Sequence, residues 1–457
     1  MGRKKQSDIT EPVSGRPIYA DDVLASVTSD VEAKSGKQGH LVGSTVMLAL
    51  PVPALSTRYL LQNEGLPLSR VYQLVGVRGS YKSSLGVEVL RWHRTCGGAG
   101  IRCEAETKDP IDLRQAILNY DDNAIRNEEC ASLDEWQRKI TWYTRFLQKR
   151  LSAAGGPGRT IPYCLLVDSL MGKACEKTID KVITDGAAGL SYPVEANMIN
   201  TYLKVYPQLL ATWPFTFVGI NHLKISRDPD TGMPVKNMPG GQALQFQCAA
   251  IIALERLGRI AEYKTYKAAN VEIELLKNSY GADNARIEVR FKTWQQEDAP
   301  GVYRLHARFE WWEASILLLG KGQGMRKATA ERLLPKIKEV CDVREVSAGS
   351  AGKMWYCKEL GIGKDDAMPA HDLGMLLERN TEVLAALYPI LGIQRRTHFR
   401  PGVDFMAQVE EHSYVLQQAD ASDDLLKRAA AIQQAILDAT PADDATAQEH
   451  VDGDDAA

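Results

Sequence analysis

Between residues 71 and 320, short apolar runs alternate with longer stretches of helical period. The runs are 71–74, 100–104, 163–167, 215–220, 249–254, 271–276 and 285–291. Those at 100–104, 163–167 and 215–220 are bounded by helical patterns, which predicts βαβ units and a parallel sheet. The runs at 271–276 and 285–291 lie close together and predict an antiparallel pair. After the first run, Leu85, Val87, Val89, Leu90 and Trp92 mark the apolar side of a helix. A helix from Ala54 is expected to end at Gly65.

Outside this block the pattern changes. Residues 1–20 are polar and carry Pro12 and Pro17, a flexible arm. Asp21 and Asp22 open a short amphipathic helix that stops at Gly36, with acids at the positive end of its dipole. So short a helix needs a partner surface, either the chain's own core or a neighbouring subunit. Residues 325–400 mix short helices with Gly-rich breaks, and 405–438 read as helix. After Pro441 come Asp443, Asp444, Glu449, Asp452, Asp454 and Asp455 with no Lys or Arg, an acidic disordered tail. The expected organisation is an arm and oligomerisation helix over 1–50, a core over 51–322, an accessory domain over 323–440 and the tail over 441–457.

Composition changes this picture little. The 457 residues are 44% hydrophobic and 25% charged, and the formal net charge is −3. No global basic field points to nucleic acid, so any such surface must be local. The eight cysteines are scattered without a CxxC pair, which argues against zinc and for a reduced, intracellular chain. No apolar run is long enough to span a membrane.

Chemistry concentrates where the first strand meets its helix. Gly76-Val77-Arg78-Gly79-Ser80-Tyr81-Lys82-Ser83-Ser84 is a Gly- and Ser-rich turn between strand and helix. Successive N–H groups of such a turn form a concavity for an anion, and the helix dipole favours negative charge there. Lys82 would reach the outer phosphates of a nucleotide, and the Ser83 hydroxyl would ligate Mg²⁺. The usual second glycine before the lysine is Tyr81. Three further strands end in polar residues. Leu165-Leu166-Val167-Asp168 ends in a carboxylate suited to hold Mg²⁺ through water. Glu106 follows the strand from Gly100 and could polarise an attacking water, with Glu104 as the other candidate. Asn221 and His222 end the strand from Phe215, where they would feel a γ-phosphate. Residues 225–241 then form a long segment without hydrophobic periodicity, read as a functional loop. Lys224, Arg227 and Lys236 make it basic, and Met238 offers an apolar wedge between bases.

This ordered set resembles the RecA-type DNA strand-exchange recombinases over roughly residues 22–320. It runs from Gly65-Leu-Pro-Leu-Ser-Arg70 through the phosphate loop, Ala105-Glu106, Asp109-Pro110, Val167-Asp168-Ser169 and Ile220-Asn221-His222 to Gly240-Gly241-Gln-Ala-Leu244. Lys277-Asn278 on a late strand also fits. Tyr81 before the loop lysine, and His222 where bacterial members carry Gln, resemble the phage UvsX-type branch.

The resemblance implies a RecA-like α/β P-loop ATPase core that uses ATP and Mg²⁺. Glu106 is implied as the catalytic base, with Lys82 and His222 acting beside it. Asp109 would lie near the adenine, and Lys277 would reach ATP in a neighbouring subunit. Ser279 stands where bacterial members have a second lysine, and Asp112 stands where an aromatic often stacks on the base. The 171–197 segment and the 225–241 segment, ending at Gly240 and Gly241, match the two DNA-binding loops by position. The implied activity is a DNA-dependent ATPase that forms helical filaments on single-stranded DNA and exchanges strands with homologous duplex. Single-strand-binding and mediator proteins would be further partners, in the cytoplasm of a bacterial or phage-infected cell. Two other readings stay open on the sequence: a ring-forming RecA-fold helicase, and a mediator that binds ATP and DNA without exchanging strands.

Overall fold

The computed structural model describes residues 47–106, 111–121, 123–154, 156, 158–185, 194–227, 234–238, 242–281, 284–347 and 353–420. The predicted helix at 21–34, the acidic tail, Asp109, Gly240 and Gly241 lie outside the described residues. The described residues belong to one compact unit that begins at Val46.

Its centre is a nine-stranded sheet. In spatial order the strands are Val302–Phe309, Arg286–Ala299, Tyr266–Asn278, Ala250–Glu262, Arg70–Gly76, Phe215–His222, Tyr163–Asp168, Ala99–Glu104 and Ile125–Glu129. From Ala250–Glu262 to Ile125–Glu129 every pairing is parallel. The other strands pair antiparallel. The predicted parallel block and antiparallel pair are both present, in one α/β sheet flanked by helices. Two strands went unread, Ile125–Glu129 and Val302–Phe309. Both sit at sheet edges, where water replaces an apolar neighbour and the hydrophobic signal fades.

The strand Arg70–Gly76 lies inside the sheet, so its residues from Val71 on are buried. The helix Lys82–Thr95 follows and buries Leu85, Val87, Val89, Leu90 and Trp92. Glu88 on that helix is fully buried; its carboxylate accepts from the indoles of Trp92 and Trp311, each at 3.1 Å. On the other side, Trp136, Ile140, Leu203, Tyr206, Phe215 and Phe217 form a buried cluster under the helices Leu133–Ser152 and Val194–Leu210.

Two element readings are corrected. The helix expected to reach Gly65 spans Leu55–Leu61, and Gln62 turns it off in the left-handed region at φ 52°. Gly65–Pro67 is a short strand. The segment 225–241 is not an unstructured loop: Lys224–Arg227 and Pro234–Asn237 pair as an antiparallel hairpin, with Ile225 opposite Lys236. Four residues per strand are too few for a period-two pattern to stand out.

The C-terminal helices are tied to the start of the core. Leu48–Pro51 pairs in parallel with Thr397–His398, and Arg58 meets Glu378 at 2.8 Å. The helix Phe405–Asp420 accounts for the described part of the predicted 405–438 helix. All eight cysteines are free thiols. No described helix is long and apolar enough to cross a membrane.

Candidate active site at the carboxyl edge of the sheet

Parallel strands deliver their C-terminal ends to one edge, and there the loops form a crevice. Register brings the predicted residues together at that edge. His222 lies opposite Gly76, and Asp168 lies opposite Glu104. Leu223 N–H donates to the Gly76 carbonyl at 3.0 Å, and Ala105 N–H donates to the Asp168 carbonyl at 2.6 Å.

The turn after Gly76 is tightly built. A Cβ at Gly76 would lie 2.4 Å from the Leu254 carbonyl oxygen and 2.5 Å from Ser80 Oγ, so only glycine fits. Gly79 turns the chain at φ +75°. Tyr81, the apparent mismatch, adopts φ 67°, the left-handed conformation a glycine would take without cost. Its ring packs on Phe291 with centroids 4.8 Å apart, and its hydroxyl faces the Arg256 guanidinium. Burial pushes the Tyr81 phenol up. The tyrosine thus keeps the backbone path of the loop and anchors it to the antiparallel strands.

Lys82 is the first helical residue and is buried. Its ammonium donates to the Val77 carbonyl at 2.7 Å and to Ser80 Oγ at 3.4 Å. Burial lowers its pKa, while the charges of Asp168 and Glu106 pull the other way. Ser83 in the same turn is partly exposed.

Glu106 sits at the meeting point of three strands. Its Oε1 accepts from Ser169 Oγ at 2.8 Å and pairs with His222 Nε2 at 2.5 Å. The Glu106 N–H donates to Glu104 Oε1 at 3.1 Å. Asn221 is fully buried, and its Oδ1 accepts from the His222 N–H at 2.9 Å. Ser169, quoted only as the residue after Asp168, and the buried Arg102, which meets both Glu104 and Asp168, were given no role from the sequence. An arginine inside an apolar run, Ile-Arg-Cys, was the available signal for the second.

Other predicted residues lie elsewhere. Lys277 donates to the carbonyls of Gln245, Phe246 and Cys248 at 2.6, 3.1 and 2.8 Å, closing the end of the helix Gln242–Gln247. Met238 packs against the buried cluster under the sheet. Lys224, Arg227 and Lys236 belong to the hairpin that leaves the strand of His222.

The donors at the edge are hydroxyl and carboxylate oxygens, the hard ligands that Mg²⁺ takes. Among the described residues no group of three or more His, Cys, Asp and Glu side chains is placed to hold a metal by itself. Ser83 and Asp168 are oxygen ligands of the kind Mg²⁺ takes, too few by themselves to hold it.

No model of a known protein family matches the chain. Individual relatives do. The chain is 19% identical over 265 residues to Protein RecA of Chloroflexus aggregans, covering 56% of this chain and 70% of the relative. It is 21% identical over 266 residues to Protein RecA of Caldanaerobacter subterraneus subsp. tengcongensis, covering 57% and 72%. It is 22% identical over 260 residues to Protein RecA of Desulfotalea psychrophila, covering 56% and 68%. The chain is thus similar to RecA proteins at about a fifth identity, and its α/β sheet is consistent with a RecA-like core.

Proposed function

We propose that the protein is an ATP-dependent recombinase that assembles on single-stranded DNA and exchanges it with homologous duplex, in the manner of the phage UvsX-type branch. The observation that carries this reading is the Glu106 carboxylate held between Ser169 and His222 beside the loop of Lys82. A general base must be oriented and must sit where an in-line water attacks a terminal phosphate. Residues 76–84 would cradle the triphosphate, with Asp109 near the adenine. Lys82 would neutralise charge on the outer phosphates. Mg²⁺, held by Ser83 and through water by Asp168, would add charge stabilisation.

The same hydrogen bond supports coupling to DNA. His222 ends its strand, and the hairpin with Lys224, Arg227 and Lys236 begins immediately after it. Phosphate oxygens arriving near Glu106 compete for His222, so nucleotide state biases the base of the hairpin. The hairpin cations contact DNA phosphates without reading sequence, as a homology search demands. Lys277, and the segment 171–197 with Gly240 and Gly241, take the trans-ATP and DNA-loop roles of the family in this reading. Self-association and work alongside single-strand-binding and mediator proteins follow from it.

Electron microscopy with single-stranded DNA and a slowly hydrolysed ATP analogue, run beside a joint-molecule assay with homologous duplex, tests the proposal. Open helical filaments and joint molecules are expected. Closed rings with unwinding would make it a helicase, and filaments without joint molecules would make it a mediator.

A further inference from the structure

Arg102 is 1% exposed, in the middle of a strand buried on both sides. A guanidinium so placed needs carboxylates, and it has two. Its Nη2 is bonded to Glu104 and lies 3.3 Å from Asp168 Oδ2. Asp168 is itself only 4% exposed.

The face of the sheet matters. A Cβ at Gly86 would meet Leu166 Cδ1 at 2.9 Å, so Leu166 points at the helix that carries Lys82. Side chains two apart on a strand share a face, which puts Asp168 on that face too. Register sets Arg102 opposite Leu166 and Glu104 opposite Asp168. The guanidinium thus lies under the Lys82 helix, against the carboxylate that the proposed function gives to Mg²⁺.

We infer that Arg102 is a positioning residue for Asp168, a built-in cation that holds one carboxylate oxygen and takes over part of the charge compensation that Mg²⁺ supplies there. This inference rests on the ATP-binding reading of the site. Its physical content is a competition. The guanidinium cannot dissociate or lose its proton, so it lowers the negative potential at Asp168 at every metal concentration. The site accordingly depends less on Mg²⁺ to bind a triphosphate, and it binds the metal more weakly than the carboxylates alone would. The rival account is structural: Arg102 serves Glu104 as counter-ion, and its contact with Asp168 has no consequence.

The test measures binding of a fluorescent ATP analogue across a Mg²⁺ titration that starts in chelator, on wild type, R102K, R102M and the R102M/E104Q double variant. The double variant removes the buried charges of Arg102 and Glu104 together, so it keeps the fold if the single variant does not; thermal melts by circular dichroism check this. Expected is a half-saturating Mg²⁺ concentration lower by about tenfold in R102M, and lower by less in the double variant, where the lost Glu104 charge offsets part of the change, with weaker analogue binding in chelator in both. R102K, which keeps the charge, should stay near wild type. The direction separates the accounts, because general damage to the site raises the metal requirement. A wild-type Mg²⁺ curve in folded R102M, or in the folded double variant where R102M does not fold, overturns the inference and leaves the ATP site standing. No analogue binding by wild type at any Mg²⁺ concentration overturns the proposed function and the inference with it.

Discussion

In the central parallel strands Tyr163–Asp168 and Phe215–His222, the interiors carry no charge on either face and polar groups collect at the carboxyl ends. Leu165, Leu166 and Val167 are fully buried, and the next residues are Asp168 and Ser169. Phe217, Val218 and Ile220 lead in the same way to Asn221 and His222. In the antiparallel half, charge lies along the strands. Ile287, Val289 and Phe291 are buried, and Arg286, Glu288 and Arg290 alternate with them. Tyr266, Trp294 and His306 form one cross-strand row, with Trp294 and His306 stacked at 5.3 Å. Lys292 lies 4.4 Å over the Tyr266 ring, and Arg308 lies 5.3 Å over the Trp294 ring. The difference follows from topology. A parallel strand is covered on both faces and has only its end for chemistry, whereas an antiparallel strand spreads polar groups over one solvated face. Substitutions at strand ends of the parallel half should therefore change turnover, and those along the antiparallel face should not.

The largest expected effect is at Glu106. Glu106→Gln keeps the size of the side chain and its bond to Ser169 but removes the base. ATP should still bind, and turnover should fall by about two to four orders of magnitude. A steady-state assay on variant and wild type measures this; unchanged turnover would move the base to Glu104. Lys292→Ala, in the antiparallel half, is the control and should hydrolyse ATP at close to the wild-type rate.

How legible each half was follows from the same contrast. The central parallel strands announce themselves as apolar runs, and the polar ends of Tyr163–Asp168 and Phe215–His222 stand out because nothing charged precedes them. Asp168, Asn221 and His222 could be read for that reason, and their convergence follows from parallel order. Arg102 hid inside a run, because a buried ion pair leaves no periodic trace. Ser169 was quoted beside Asp168 but given no role, because a serine after a strand is ordinary. The antiparallel pair was legible because the apolar runs 271–276 and 285–291 lie close together, but its extension to Ala299 and the partner strand Val302–Phe309 were not. Those residues are solvated, and hydrophobic pattern reports burial. The hairpin of Lys224 and Lys236 was located but taken as a loop, since short strands away from the core carry no apolar stripe.

A second effect belongs to the parallel half alone and appears in stability. His93, in the last turn of the phosphate-loop helix, is fully buried; its Nδ1–H donates to the Val89 carbonyl at 2.8 Å, and Nε2 accepts from Thr216 Oγ1 at 3.0 Å. Burial lowers its pKa from 6.5 to about 4. The folded value lies below the unfolded one, so the unfolded chain binds more protons between them. Stability from this group is complete above the unfolded pKa and is lost as pH falls through that window, by at most roughly 3 kcal/mol. Denaturant unfolding at pH 7.5 and 4.5 should show a smaller acid loss for His93→Gln than for wild type. Equal losses would mean that the acid sensitivity arises elsewhere.

The hairpin should respond in a third way. Replacing Arg227 and Lys236 together by Ala should flatten the salt dependence of single-stranded DNA binding by up to about two phosphate contacts. Hydrolysis without DNA should survive, and stimulation by DNA should drop. A wild-type salt slope would remove the hairpin from the DNA surface.

The smallest effect is expected where the halves are joined. Tyr81 carries the phosphate loop with its backbone and touches Phe291 of the antiparallel half with its ring. A left-handed conformation costs a non-glycine residue roughly 1–2 kcal/mol. An aromatic pair returns about 0.5–1.5 kcal/mol beyond its buried area. The two nearly cancel, which is how a tyrosine can occupy a position that suits glycine. Tyr81→Gly removes both and should shift stability by less than about 1 kcal/mol, with nucleotide affinity within about threefold of wild type. Tyr81→Ala keeps the strain and loses the ring, so it should be the less stable of the two in denaturant melts. If Gly and Ala are equally damaging, the ring contact alone matters and the backbone at Tyr81 is unstrained. If Gly instead abolishes nucleotide binding in a folded protein, the loop depends on its anchor in the antiparallel strands, and the two halves do not work as separately as their polar residues suggest.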